Sequence, residues 1–256
     1  MSMVFGVLGS GFGLYGYLPA IILAGATQVV VLKRYEEFIH SRPELSQYLK
    51  FLDYVDTENE CIARSNVLVI ARRPKDQYEI INDLIDREWP LLNSVILEKP
   101  IAETPCQAMK VLDALDSLAV TYRVGYSFAY LDWGESIRSC YTKFDSSDLA
   151  GTIVWKFNAH HYLHNKDSWK GRVGSGGGAL RFYAIQVLGL LAFCADWDVL
   201  SCVGDSITSD TARRVSVELL SHKGSKFKVL CDSNWTEEPV FSADMYYKNK
   251  AIYQFD

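Results

Sequence analysis

The chemistry legible in this chain sits at the ends of two apolar runs. The second of them, Val95-Ile-Leu-Glu98-Lys99-Pro100, ends by presenting a lysine. An ammonium beside a carbonyl or hydroxyl can donate a proton as a hydride moves, or hold the charge growing on oxygen. Desolvation there would lower its pKa into a useful range. The bland alternative is a lysine that only pairs with Glu98. The first run, Val4-Phe-Gly-Val-Leu, enters Gly9-Ser10-Gly11-Phe12-Gly13, then Leu14-Tyr-Gly16. A strand, a glycine turn and a helix form a cradle for a dinucleotide pyrophosphate, because only glycine lets backbone approach phosphate closely. Two registers fit: Gly11-Phe-Gly13-Leu-Tyr-Gly16 matches GxGxxG literally, whereas Gly9 directly follows the strand. The second register is preferred, with Gly9 and Gly11 as first and second glycines. A cradle plus a lysine at one sheet edge points to redox chemistry.

Two cations follow the next strand, in Val31-Leu32-Lys33-Arg34-Tyr35. Dinucleotide sheets that bind NAD put an acidic residue there, for the adenosine ribose. Lys33 and Arg34 suit a 2′-phosphate instead. NADP is therefore the preferred cofactor, with NAD the alternative. The competing reading makes both side chains solvated surface charges. The fourth strand ends Ala71-Arg72-Arg73-Pro74, where Ala71 and Arg72 are candidate cofactor contacts and a salt-bridged surface role is the alternative.

Strands at Met3–Leu8, Gln28–Leu32, Tyr54–Val55, Val67–Ile70, Val95–Leu97 and Tyr122–Ser127 alternate with helices at Tyr17–Ala24, Glu44–Leu52, Gln77–Arg87 and Thr104–Ser117. That rhythm predicts a doubly wound parallel sheet of the α/β class over residues 1–125. Residues 126–256 read as an α+β domain, carrying helices at Trp133–Tyr141 and Ala179–Phe193. A long polar loop ends at Gly178, and strands lie at Thr152–Asn158, Val199–Gly204, Val215–Ser221, Lys226–Trp235 and Met245–Phe255. These strands predict an open, mostly antiparallel sheet, with a hairpin turn at His222-Lys-Gly-Ser225.

The formal net charge of −5 over 256 residues offers no basic field for nucleic acid or membrane lipid. No apolar run reaches the roughly 18–20 residues needed to span a bilayer. The amino terminus enters a strand within three residues, so no secretion signal is expected. Six cysteines without a CxxC pair predict reduced thiols and a cytoplasmic location.

Three features together resemble the Gfo/Idh/MocA (glucose-fructose oxidoreductase / inositol dehydrogenase) family over nearly the whole chain. They are the glycine turn with Pro19 ten residues after Gly9, Glu98-Lys99-Pro100, and Trp169-Lys170 ahead of Gly176-Gly177-Gly178. The resemblance implies an NAD(P)-binding Rossmann domain and a carboxy-terminal open sheet that carries substrate and often pairs two chains. It implies an oxidoreductase of sugars or nucleotide-sugars, with Lys99 aimed at substrate beside Glu98. The chain is shorter than most members and stops soon after Tyr253.

Many members carry an aspartate and, one helical turn later, a histidine after the triple glycine. Counting from Gly178, those places hold Phe182 and Gln186, neither of them an ordinary acid or base. Tyr183, next to the first place, is the second catalytic candidate, with a packed aromatic as the alternative. Arg181 and Gln186 are expected to bind substrate. The loop with His161, Trp169 and Lys170 is expected to line and cover it, excluding water from the hydride path. His160 and His161, read as neighbours on a strand, point to opposite faces, so no metal is expected. Phe182 and Gln186 favour a second function, a non-catalytic NADP(H)-binding sensor or scaffold. A third is a reductase of an imine or linear tetrapyrrole.

Overall fold

The apolar runs of the first half become strands because they are buried on both faces, as parallel sheets require. The computed structural model describes residues 3–208 and 210–256. The chain divides into two compact units, Met1–Gly125 and Tyr126–Asp256.

In the first unit, β1 (Phe5–Leu8), β2 (Val29–Leu32), β3 (Leu52–Val55), β4 (Val67–Ile70), β5 (Ser94–Leu97) and β6 (Thr121–Val124) form one parallel sheet. Its order is β3-β2-β1-β4-β5-β6. This is the expected dinucleotide-binding topology, and strand order reverses between β1 and β4. Every residue of β2 and β4 is buried. Five helices connect the strands: α1 (Leu18–Leu23), α2 (Glu36–His40), α3 (Glu58–Ala63), α4 (Pro74–Ile85) and α5 (Pro105–Ser117). Thr104 caps α5 in a reciprocal box with Gln107. Three local details differ from the sequence expectation. The first helix is preceded by a π-turn over Gly13–Tyr17. Helix α4 begins three residues earlier than expected, with Pro74 in its first turn, where a missing N–H costs nothing. Pro43–Phe51 winds as a 3₁₀ helix, and the short α2 and α3 are too brief to show a periodic stripe.

The second unit contains α6 (Asp132–Phe144), β7 (Leu149–Lys156), α7 (His160–Leu163) and α8 (Ile185–Ala192). After them come β8 (Trp197–Thr208), β9 (Thr211–Ser221), β10 (Lys226–Asp232), β11 (Val240–Tyr247) and β12 (Lys250–Phe255). The sheet order is β12-β11-β7-β10-β9-β8, antiparallel except where β10 runs parallel to β7. Ile137 and Tyr141 of α6 and Leu190 and Leu191 of α8 share one buried core with Val217, Val229 and Met245 of the sheet. Two expectations are corrected. Met245–Phe255 is no single strand: Lys248 and Asn249 both take positive φ (51° and 61°), folding β11 back onto β12. No glycine marks that turn, so the apolar pattern seemed continuous. The polar loop also holds ordered turns, and His160 and His161 lie on the short α7 rather than on a strand.

Candidate functional site

Gly9 and Gly11 are glycines for different reasons. Gly9 has φ +146°, and a Cβ there would overlap the carbonyl oxygen of Ala71. The Ala71 N–H in turn donates to Leu8 O at 2.8 Å, so β1 and β4 close tightly where strand order reverses. Gly11 is exposed, and a Cβ built on it meets nothing within 4 Å. The fold itself therefore does not demand glycine at 11. The open space over that backbone fits the close approach of a pyrophosphate. Ser10 and Phe12 flank it and are exposed, while Gly13 is buried, its Cβ position 3.1 Å from Val7 and 3.3 Å from Ala71.

The glycine turn and the lysine motif are tied together by side chains. Tyr17, closing the π-turn, donates its phenol hydrogen to Glu98 Oε2 at 3.0 Å. Burial raises the Glu98 carboxyl above the ordinary carboxylate range, while Lys99 and the Tyr17 hydroxyl pull it back down. The same burial, with Glu98 beside it, holds the Tyr17 phenol protonated. Gln77 of α4, fully buried, secures the backbone on either side of Lys99. Its Nε2 donates to Glu98 O (2.8 Å) and Pro100 O (3.0 Å), and its Oε1 accepts from the Glu98 N–H (3.1 Å). The Lys99–Pro100 peptide is cis, and Lys99 is half-buried.

At the carboxyl ends of β2 and β4 stands a charged cluster. Arg34 and Arg72 both bind Glu58 Oε1, at 2.5 and 2.9 Å, and Arg72 Nη1 also donates to Tyr35 OH at 3.0 Å. Two cations thus share one anion at the place where sequence put the phosphate-binding cations. The Arg34 side chain is 54% exposed, and Lys33 beside it is exposed as well.

In the second unit the Trp169–Gly171 turn lies directly on Gly177, where a Cβ would overlap the Trp169 carbonyl. The middle glycine of the triple is thus required by packing. Trp169 meets the ring of Phe182 edge-on at 5.1 Å, and Lys170 Nζ lies 5.2 Å from the same ring. Phe182 packs on Tyr183 at 4.7 Å, and Tyr183 OH lies 3.3 Å from Nδ1 of the buried His161. Gln186 is buried one turn along, and Arg181 is half-buried on the same π-turn, Ala179–Ala184. His160 and His164 sit one turn apart with ring centroids 4.4 Å apart. Among the described residues, no three His, Cys, Asp or Glu side chains gather as a metal would need.

Residues 3–126 match the family described as "Oxidoreductase family, NAD-binding Rossmann fold". The first unit carries the NAD-binding domain of the Gfo/Idh/MocA oxidoreductases. No curated protein matches its sequence. Among solved structures, the fold of a myo-inositol dehydrogenase from Corynebacterium glutamicum is similar, with TM-score 0.75 and 16% identity over 100% of this chain and 75% of that one. The WlbA dehydrogenase from Bordetella pertussis, in complex with NADH and UDP-GlcNAcA, gives 0.77 and 15% over 96% and 76%. A super-repressor mutant of Gal80p from Saccharomyces cerevisiae gives 0.79 and 12% over 98% and 74%. At these identities the likeness is one of fold.

Three residues of this chain escaped sequence reasoning. Gln77 is the first residue of the stripe Gln77, Ile80, Ile81, Leu84, all buried. A polar side chain on an apolar helix face was the signal that could have found it. Tyr17 and Glu58 carried no such signal, because their partners lie 81 and 14 or more residues away.

Proposed function

We propose that this chain is an NADP-dependent oxidoreductase of a sugar or nucleotide-sugar, with Lys99 donating or accepting the proton of the reacting oxygen. The observation that carries this reading is the Tyr17–Glu98 bond, which joins the glycine turn to the Lys99 strand end. The open face over Gly11 supports a pyrophosphate at the turn, held by Gly9, Ser10, Gly11, Phe12 and Gly13. Lys33, Arg34 and Arg72 would meet a 2′-phosphate, and Ala71 and Glu98 would line the cofactor. When bound, the nicotinamide supplies or takes up hydride. Lys99, steadied by Gln77, handles the oxygen, and Tyr183 is the second unit's proton-bearing group. Trp169, Arg181 and Gln186 supply hydrogen bonds and ring faces suited to a polyol, whereas the buried His161 meets Tyr183 instead.

The test is a spectrophotometric screen of NADPH oxidation and NADP⁺ reduction with myo-inositol, free aldoses and UDP-sugars. Lys99→Ala is expected to lower kcat by about 10²–10⁴-fold while NADPH affinity changes little. Replacing Lys33 and Arg34 by alanine should weaken NADPH about ten- to a hundredfold and leave NADH unaffected. A native preference for NADH would overturn the phosphate reading.

Phe182 and Gln186, in the places where the resemblance puts an acid and a base, favour a second reading: a non-catalytic NADP(H)-binding sensor. A sensor would bind NADPH, turn over none of these substrates and tolerate Lys99→Ala.

A further inference from the structure

Within the second unit a tyrosine and a histidine form a pair that the catalytic role of Lys99 leaves unused. Tyr183 projects from the π-turn Ala179–Ala184 and His161 from α7. Their rings are nearly parallel, 3° apart with centroids at 6.3 Å, and the phenol oxygen lies 3.3 Å from Nδ1. Catalytic hydrogen bonds are often this long before substrate binds. Phe157 and Phe182 pack edge-on against Tyr183 at 4.9 and 4.7 Å, and Tyr162 stacks obliquely on His161 at 4.1 Å. These contacts restrict both rings. His161 is only 6% exposed, and its Nε2 is buried without a hydrogen bond. The site where Gly171 would carry a Cβ is 3.3 Å from that nitrogen. Burying such a group unsatisfied costs about 1–3 kcal/mol. Packing alone would be better served by an apolar ring.

The surroundings set the protonation of the pair. Burial lowers the His161 pKa below its ordinary value, and Lys170 from the following turn and His160 on its own helix lower it further. Burial raises Tyr183, with Tyr162 of α7 and Cys231 of β10 adding to it. Arg213 of β9 faces the group through the Tyr162 ring, at 5.0 Å. At neutral pH the imidazole is therefore neutral and the phenol protonated, so Tyr183 O–H can donate to Nδ1. Its oxygen lone pairs then remain to accept a proton from an alcohol.

We infer that His161 is a positioning residue that takes the phenol proton at Nδ1 as Tyr183 accepts the proton of a substrate hydroxyl. The inference rests on the oxidoreductase reading above. In the oxidation direction the alcohol O–H proton would pass to the Tyr183 oxygen and the phenol proton to Nδ1, leaving Lys99 to hold the charge growing on the oxygen rather than take its proton. On the oxidoreductase reading, a bound oxidised nicotinamide would supply the acceptor for the hydride of the C–H bond. The substrate ends as a carbonyl and His161 as an imidazolium; reduction runs the same transfers backwards.

Two measurements on the full chain test it. Histidine-ring NMR titration of native protein and Tyr183→Phe should show the His161 titration moving when the hydroxyl is removed. An unmoved titration overturns the pair, whatever the enzyme does. With an alcohol substrate found in the screen, His161→Gln should cut kcat by about 10²-fold with KM nearly unchanged. It should also abolish the acid limb of the pH profile, which in the native enzyme lies below the ordinary histidine value. A retained acid limb overturns the inference while leaving the oxidoreductase reading intact. If native protein turns over nothing, that reading fails, and the proton transfer fails with it even where NMR shows the rings coupled.

Discussion

Glu98 is a carboxylate taken out of water beside a lysine, and burial outweighs its partners. Its folded-state pKa is raised, so the folded chain holds this proton more tightly than the unfolded chain does. The stability that this proton binding contributes is fully present below the ordinary carboxylate pKa. It is lost as pH rises through the higher, folded value. Glu98→Gln keeps an acceptor for Tyr17 and removes the buried charge. Urea midpoints should therefore show the variant gaining on native protein between pH 4.5 and pH 7.5. A gap that stays constant over that range would mean that Lys99 and Tyr17 fully offset burial. His161 has the opposite dependence. Its folded pKa is depressed, so the unfolded chain binds more protons just below the ordinary histidine value, and stability falls as pH drops through that window. Of the residues named here, Lys99, His161 and Tyr183 could be singled out from their types and neighbours. The Tyr183–His161 pairing could not, because it spans 22 positions and depends on how a π-turn meets a four-residue helix.

Helix α4 carries the element that steadies the lysine. Three hydrogen bonds from one fully buried amide brace the backbone on both sides of Lys99. Gln77→Leu matches the apolar stripe but takes the donor from the Glu98 and Pro100 carbonyls, while the Glu98 N–H keeps Ile70 O. It should cost about 1–3 kcal/mol in a denaturant titration. Because the damage falls on the lysine's carrier, kcat should drop more than NADPH affinity; equal stability to native would show that the bonds are dispensable. Strands buried on both faces were legible as unbroken apolar runs, and Thr104 with Pro105 marked the start of α5 from residue types alone. The elements missed have a common cause. Helices α2 and α3, of five and six residues, are too short for a 3.6-residue period to repeat. The β11–β12 turn uses Lys248 and Asn249 where glycine would have announced it.

At the scale of the molecule, the order β3-β2-β1-β4-β5-β6 places the carboxyl ends of β1, β4 and β5 side by side. The glycine turn, Ala71 and Lys99 accordingly share one sheet edge. Alternating strand and helix signals made that class legible, whereas the order of strands in the second unit depends on long-range pairing that no local pattern encodes. The six cysteines are free in this fold, and burial divides them. Cys61, Cys194 and Cys231 are pushed up to about 12 by burial, whereas Cys106 and Cys202 are exposed. A thiol titration of native protein at pH 8 should show fast reaction at the two exposed sites, with the buried Cys61 and Cys231 reacting only after unfolding. No helix among the described residues is long and apolar enough to cross a membrane. The central claim is that the amino-terminal turn leaves Gly11 open for a dinucleotide. Its most direct test is isothermal titration of NADPH into native protein and Gly11→Ala, with thermal unfolding of both. The expected result is an unchanged Tm, since the added methyl meets no protein atom, together with a loss of affinity of at least about tenfold, or 1.4 kcal/mol. Equal affinity in the two proteins would contradict it.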